Sequence, residues 1–304
     1  MTVAKPLLCG VELGGTKCIC LAGTGPGDIR ARVTVKTGSD AAATLARIAE
    51  VLCELRAAHG AFVSIGLAAF GPLELRRDSP GYGRIELTPK EGWSRVDLAG
   101  FFAQRFAEPV GLTTDVIAAA LAEGRWGAAR GLTDYAYVTV GTGIGAGLIA
   151  GGRPLLGCHH SELGHIRIAR AAGDAWPGIC RFHGDCLEGL ASGPAIEARS
   201  GTAPANLPAD SPVWDTVAHA LAQLAHNLVL AVAPERILIG GGVADAQPAL
   251  FPRIRARLRA SLGGYLDIEQ LNAGLEEFIV PPGLGALAGP LGALAVAADA
   301  AAAH

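Results

Sequence analysis

The feature that most constrains this chain is a repeated one: two short apolar runs turned around glycine and threonine, met again ~130 residues later. Leu7–Gly14 and Lys17–Ala22 are joined around Gly14-Gly15-Thr16. Tyr135–Val140 and Gly147–Ala150 are joined through Gly141-Thr142-Gly143-Ile144-Gly145. Runs of Val, Leu and Ile bounded by glycine are strands, and so short a connection makes each pair a hairpin. Mixed helix and strand patterns come after both. Ala41–Ala58 sets Leu45, Ile48, Val51, Leu52 and Leu55 on one helical face, Phe62–Ala69 and Val110–Thr114 read as strands, and Ile117–Arg130 as a helix. In the second half Val213–Ala233 and Leu250–Leu262 read as helices, with a strand at Arg236–Ile239 before Gly240-Gly241-Gly242. The class is α/β, duplicated at domain scale, and not a short solenoid repeat.

A length of 304 residues fits two domains. No Pro/Ser-rich linker separates the halves, so they are expected to abut across a cleft. Half of the residues are hydrophobic, and 42 glycines with 18 prolines fall short of low complexity, which excludes disorder as the main theme. Lys and Arg number 25 against 28 acidic residues, with no basic block, so duplex nucleic acid is not an expected partner. Seven cysteines, an odd number, behind a start that lacks a secretory pattern point to free thiols or metal ligands in a reducing cytoplasm. The Ala-rich tail Leu284–Ala303 carries Asp299 and several glycines and is too weakly apolar to be read as a membrane span.

Glycines in a hairpin turn let backbone N–H groups approach an anion, and Thr16, Lys17 and Thr142 add donors or charge. The plainer alternative is that they are turns and nothing more; two related loops in one chain weigh against it. Neither loop is GxxxxGK[ST], and both join strand to strand, which argues against a Walker A loop or a Rossmann dehydrogenase. Asp115 stands where a strand ends and a helix begins, the place of an N-cap and also of a ligand-facing carboxylate. His165, Cys180, His183 and Cys186 offer two imidazoles and two thiolates at short spacing, a set suited to tetrahedral Zn2+. With no position left open the metal would be structural. Cys158, His159 and His160 lie on the far side of Glu162 and read as decoys.

In order, Glu12-x-Gly14-Gly15-Thr16-Lys17, Thr113-Thr114-Asp115, the Gly141–Gly145 loop, Glu162-x-Gly164-His165 and the Cys/His cluster resemble the ROK-family sugar kinases. The stretches Gly71-Pro72, Ser79–Gly83, Thr88–Trp93 and Cys186–Pro194 resemble the fructokinase branch. Together these motifs span about Leu8 to Leu294. The resemblance implies an actin-like ATPase fold of two ribonuclease-H-like domains: 1–115 with about 288–304 returning to it, and 116–287. It implies Mg2+·ATP held by Glu12, Gly14, Gly15, Thr16, Lys17, Gly141, Thr142, Gly143, Gly145 and Pro194, with adenine near Gly240, Gly241 and Gly242. Asp115 would be the general base. Gly71, Thr114, Asp115, Glu162, His165 and Glu188 would touch the sugar, and His165, Cys180, His183 and Cys186 would hold Zn2+. The chain departs from the broader family with Glu12 for Asp, Thr114 for Asn and Ile117 for Asn. The implied reaction is ATP-dependent phosphorylation of D-fructose at O6 by a cytoplasmic homodimer. Another hexose (mannose, glucose or an N-acetyl amino sugar) and a non-catalytic sugar sensor are the alternatives. A repressor reading fits less well, because the first hairpin begins at Leu7 and leaves no room for a reader helix.

Overall fold

Two five-stranded sheets of one topology carry the chain in this computed structural model, which describes residues 6–303. The first half runs β1 (Leu8–Leu13), β2 (Lys17–Gly25), β3 (Asp28–Lys36), α1 (Ala41–His59), β4 (Ile65–Ala69), α2 (Leu98–Ala103), β5 (Val110–Thr114) and α3 (Asp115–Trp126). Next come β6 (Tyr135–Val140), β7 (Ile144–Ala150), β8 (Arg153–Pro154), α4 (Leu187–Ala191), α5 (Gly193–Ser200) and α6 (Val213–Ala231). The chain ends with β9 (Arg236–Gly240), α7 (Gly242–Ala246), α8 (Leu250–Leu262), α9 (Glu269–Asn272), β10 (Ile279–Val280) and α10 (Ala288–Ala302). One sheet has the order β3-β2-β1-β4-β5 and the other, read from the same side, β8-β7-β6-β9-β10. In each an antiparallel three-stranded meander is extended by two parallel strands. The duplication read from the hairpins is therefore a duplication of the whole sheet.

The first compact unit contains the chain up to Arg130, Leu155–His160 and everything from Ala286 onward; the second contains Gly131–Pro154 and Ser161–Gly285. α3 is thus grouped with the first unit. The reason is α10. Gly10, Gly66 and Gly111 stand in register on β1, β4 and β5, forming a trough of bare backbone across three strands. A Cβ on Gly66 would strike Ala293 O and Ala297 N, and one on Gly10 or Gly111 would come within 2.9 Å of α10. Ser64 Oγ donates to Ala297 O at 2.6 Å. On the other side of the helix, a Cβ on Gly292 would run into the backbone of Ala118 in α3. Thus α10 is clasped between the sheet and α3, and α3 stays with the first unit. Two-sided burial also explains why α10 has no polar face. By length and composition the segment Gly285–Ala302 could cross a membrane, with a mean hydropathy of 1.4, yet 56% of it is buried inside the protein.

The first core gathers α1 and the loop after β4 around Trp93, whose indole N–H donates to Gly38 O at 2.8 Å. The second packs α6 and α8 on its sheet around Trp214, which donates to Pro208 O at 2.9 Å. Both indoles satisfy their one donor while fully buried.

Candidate functional site

In the first unit the Gly14-Gly15-Thr16 turn is held from β3's end. Gly14 N donates to Lys17 O at 3.1 Å, Thr37 N donates to Thr16 O at 3.0 Å, and Thr37 Oγ1 donates to Gly14 O at 2.8 Å. Gly15, Thr16 and Lys17 remain exposed. Glu12, half-buried on β1, sets its carboxylate against Gly289 in the first turn of α10, where a side chain would collide with it. Burial, and next the charge of Asp115, push the Glu12 carboxyl up to about 7, with Lys17 opposing.

Asp115 is not the N-cap of its helix. Thr114, buried at 3% exposure, fills that role: its Oγ1 accepts from Ile117 N at 3.3 Å. Asp115 is the first helical residue, with Oδ1 accepting from Val116 N at 2.8 Å. The carboxyl group thus sits at the C-terminal edge of β5, at the start of a helix. Ile117 is fully buried and Thr114 is engaged as a cap, so their departures from the family pattern serve this helix start.

In the second unit the glycine turn is held more extensively. Gly141 N donates to Gly143 O at 2.9 Å, and Gly193 N, opening α5, donates to Gly141 O at 2.7 Å. Glu188 Oε2 accepts from Ile144 N at 2.9 Å and passes so close to Gly143 that a Cβ there would lie 2.6 Å away. Ser192 caps α5 with Pro194 in its first turn. Gly241, at φ 91°, lies so near Val140 that a Cβ would be 2.6 Å from its carbonyl oxygen. Backbone donors of the turn, the start of α5 and the Gly240–Gly242 bend form one cluster. That is the local chemistry of an anion site.

The Cys/His set is assembled as expected. The donor atoms of His165, Cys180, His183 and Cys186 lie within 4.8 Å of one another. His165 Nδ1 is 3.7 Å from Cys180 Sγ and 3.6 Å from Cys186 Sγ, and His183 Nδ1 is 3.7 Å from Cys180 Sγ. A tetrahedron with Zn–S near 2.3 Å and Zn–N near 2.0–2.1 Å has N···S edges of ~3.6 Å. The residues fit zinc. A tight knuckle presents them: Cys180 and Gly184 exchange backbone bonds of 3.0 and 2.8 Å, with Gly178 at φ 72° and Gly184 at φ 63°. Arg170 and Arg199 meet Asp174, and Arg170 also meets Asp185, bracing the loop. Burial raises the Cys186 thiol to about 11, and a bound cation would favour its thiolate.

One carboxylate ties the metal set to the glycine turn. Glu188, two residues after Cys186, accepts from Ile144 N through one oxygen, while the other lies 3.9 Å from His165 Nε2. Gly164, next to His165, abuts Ile144 O with no room for a side chain. His165 therefore turns Nδ1 toward the two thiols, where it would meet a metal, and Nε2 toward Glu188. Glu162 is exposed at the head of this short turn. His159 and His160 belong to the first unit, apart from the knuckle. Thr37, which braces the first turn through one hydroxyl, is marked by no sequence motif, and Ser192 lies within the Cys186–Pro194 stretch without having been singled out.

The model of the family described as "ROK family" matches residues 8–300. The chain belongs to the ROK family. A fructokinase of Pediococcus pentosaceus is 38% identical over 291 residues, covering 96% of this chain and 97% of that one. A ROK hexokinase of Thermus thermophilus superposes with a TM-score of 0.80 at 29% identity, covering 98% and 100% of the two chains. A ROK family glucokinase of Streptomyces griseus, solved in complex with glucose and AMPPNP, superposes with a TM-score of 0.75 at 25% identity over 96% and 99%. The ROK sugar kinases share this actin-like fold, and the twin sheets described above are its two halves.

Proposed function

We propose that this ROK chain is a sugar kinase that transfers the γ-phosphoryl group of ATP to O6 of D-fructose, giving ADP and D-fructose 6-phosphate. The observation that carries the fructose reading is the gradient of likeness: 38% identity to a fructokinase over nearly the full length, against 25–29% for a glucokinase and a hexokinase. The choice of phosphoryl transfer is supported by two exposed or part-exposed glycine turns and a carboxyl group at a strand end.

Asp115 is the general base. A sugar hydroxyl attacks the γ-phosphorus, its proton passes to an Asp115 carboxylate oxygen, and the bond to the β-phosphate oxygen breaks to release ADP. Proton transfer of this kind contributes ~10²–10⁴-fold. The remainder comes from positioning and from charge stabilisation by turn N–H groups and the start of α5. Glu12, Gly14, Gly15, Thr16 and Lys17 would take part of the nucleotide phosphates. Gly141, Thr142, Gly143, Gly145 and Pro194 would take the rest, with Gly240, Gly241 and Gly242 at the adenine. Mg2+ entering with ATP supplies neutralisation of phosphate charge. Glu162, His165 and Glu188 direct hydrogen bonds to sugar hydroxyls, together with Gly71, and Thr114 orients the base from its cap. Zn2+ on His165, Cys180, His183 and Cys186 supplies rigidity, fixing the His165 ring so that Nε2 is presented in one orientation. A cytoplasmic location and a homodimeric state complete the reading, the latter checked by sedimentation.

The deciding experiment is an ATP-consumption assay over fructose, mannose, glucose, N-acetylglucosamine and allose at equal concentration. Fructose is expected to give the highest kcat/KM. A clear preference for another hexose would overturn the branch assignment, and no turnover with any sugar would overturn the kinase.

A further inference from the structure

The segment Leu155–His160 belongs to the first unit, although the chain on both sides of it belongs to the second. It ends in two adjacent histidines, and neither has a place in the metal set or in the proton transfer. His160 closes directly on one short stretch of chain, the cis-linked Gly71-Pro72 and the Leu73 next to it, and His159 reaches the same stretch through Glu86.

His160 is buried, and its Nε2 accepts from Leu73 N at 3.0 Å. That bond requires Nε2 to be the unprotonated nitrogen of a neutral ring. The same ring lies flat enough against Gly71 that a Cβ there would come within 3.2 Å of Cε1 and 3.4 Å of Nε2. His159 stands beside it, ring centres 4.0 Å apart, and its Nε2 meets Glu86 Oε2 at 3.1 Å. Glu86 N in turn donates to Pro72 O at 2.8 Å, and Leu73 bridges to Ile85. The result is a closed ring of contacts, His160–Leu73–Pro72–Glu86–His159, with Gly71 at its lip. Leu73 is fully buried, so water is a poor substitute for its bond.

We infer that His160 is a positioning residue for sugar binding: through the Leu73 amide and the face of Gly71 it fixes the turn that meets the sugar. The inference rests on the proposed reading of Gly71 as a sugar contact. Glycine at 71 is then explained by the imidazole, against which a Cβ would be pressed. His159 and Glu86 are the outer brace of the same turn.

The test separates binding from chemistry. His160→Ala should raise the sugar KM by about tenfold while kcat and the KM for ATP stay within about twofold. His160→Gln places an amide oxygen near the position of Nε2 and should bring the sugar KM back to within about threefold of wild type. The sugar-induced rise in Tm, measured without ATP, should shrink and recover in the same order. An unchanged sugar KM in His160→Ala would overturn the inference. So would parallel losses of Tm, kcat and both KM values that His160→Gln fails to restore, since that is the pattern of a purely structural residue. The ratios are read with whichever sugar the wild type uses best, or from the thermal shift alone. A surprise in the sugar would thus correct the proposed function and leave this test standing.

Discussion

The two sheets match strand for strand, but the connections that leave their third strands do not. In the first unit β3 passes to α1 through Thr37–Asp40 alone; in the second, a long stretch that carries Glu162, His165, Cys180, His183 and Cys186 separates β8 from α4. The turns differ accordingly. Gly14-Gly15-Thr16 is held by one neutral residue, Thr37. The Gly141–Gly143 turn is held by a carboxylate, Glu188, and by the opening of α5. Duplication thus provides two similar glycine turns, and insertion at one equivalent point brings the Cys/His set to the second. The first unit keeps the carboxylate at the end of its fifth strand, Asp115. The fifth strand of the second, β10, is two residues long and runs directly into proline.

The largest effect should come from the asymmetry in the fifth strands. Asp115→Asn keeps the Thr114 cap, so the Tm should hold while kcat falls ~10²–10⁴-fold in a coupled assay; near-normal kcat would remove the base from the first unit. Next comes the insertion. Elemental analysis should find one zinc per chain, and Cys180→Ser should lose it, lower the Tm by on the order of 5–10 °C and raise the sugar KM. A metal-free wild type of full stability and activity would leave the insertion without its proposed centre. The third test compares the two braces directly. Glu188→Gln should lower kcat/KM by about 10- to 100-fold and Thr37→Val only several-fold, since the first removes a charged acceptor and the second one neutral bond. Equal losses would mean that the two turns are energetically alike. The smallest effect is electrostatic. With the Glu12 carboxyl at about 7 in the folded chain against an ordinary 4.5, its contribution to stability is complete below pH 4.5 and is lost as pH rises through 7. Ligand-free wild type should therefore lose Tm between pH ~5 and ~8 more steeply than Glu12→Gln.

Strong periodicity made most of the fold legible in the sequence. Val110–Thr114, Tyr135–Val140 and Leu250–Leu262 run as their patterns indicate, because each buries one continuous apolar set. β3 gave no such signal: Asp28–Lys36 is an edge strand with a largely exposed face and three basic residues. β10 is too short to show a period, and α10 is apolar all round, so neither template fits it. At the site, the members of the Cys/His cluster are close in sequence and could be read from their spacing. The role of Thr114 as cap was hidden because Asp115 beside it is an equally good capping residue. Contacts such as Thr37 to Gly14 and His160 to Leu73 join positions 23 and 87 residues apart, and no local pattern encodes them.

The glycine trough of Gly10, Gly66 and Gly111 has a consequence for the order in which the protein can be made. Domains generally fold as they leave the ribosome, N-terminal first. Here the N-terminal sheet emerges early but cannot be finished, because the helix that fills its trough follows the whole second unit in the chain. All of the second unit is synthesised in the interval, including the Cys/His cluster. Completion thus runs against the direction of translation: the later unit can close while the earlier one waits with bare backbone uncovered. Premature termination before Ala288 would leave the second unit whole and disable the one that carries Asp115.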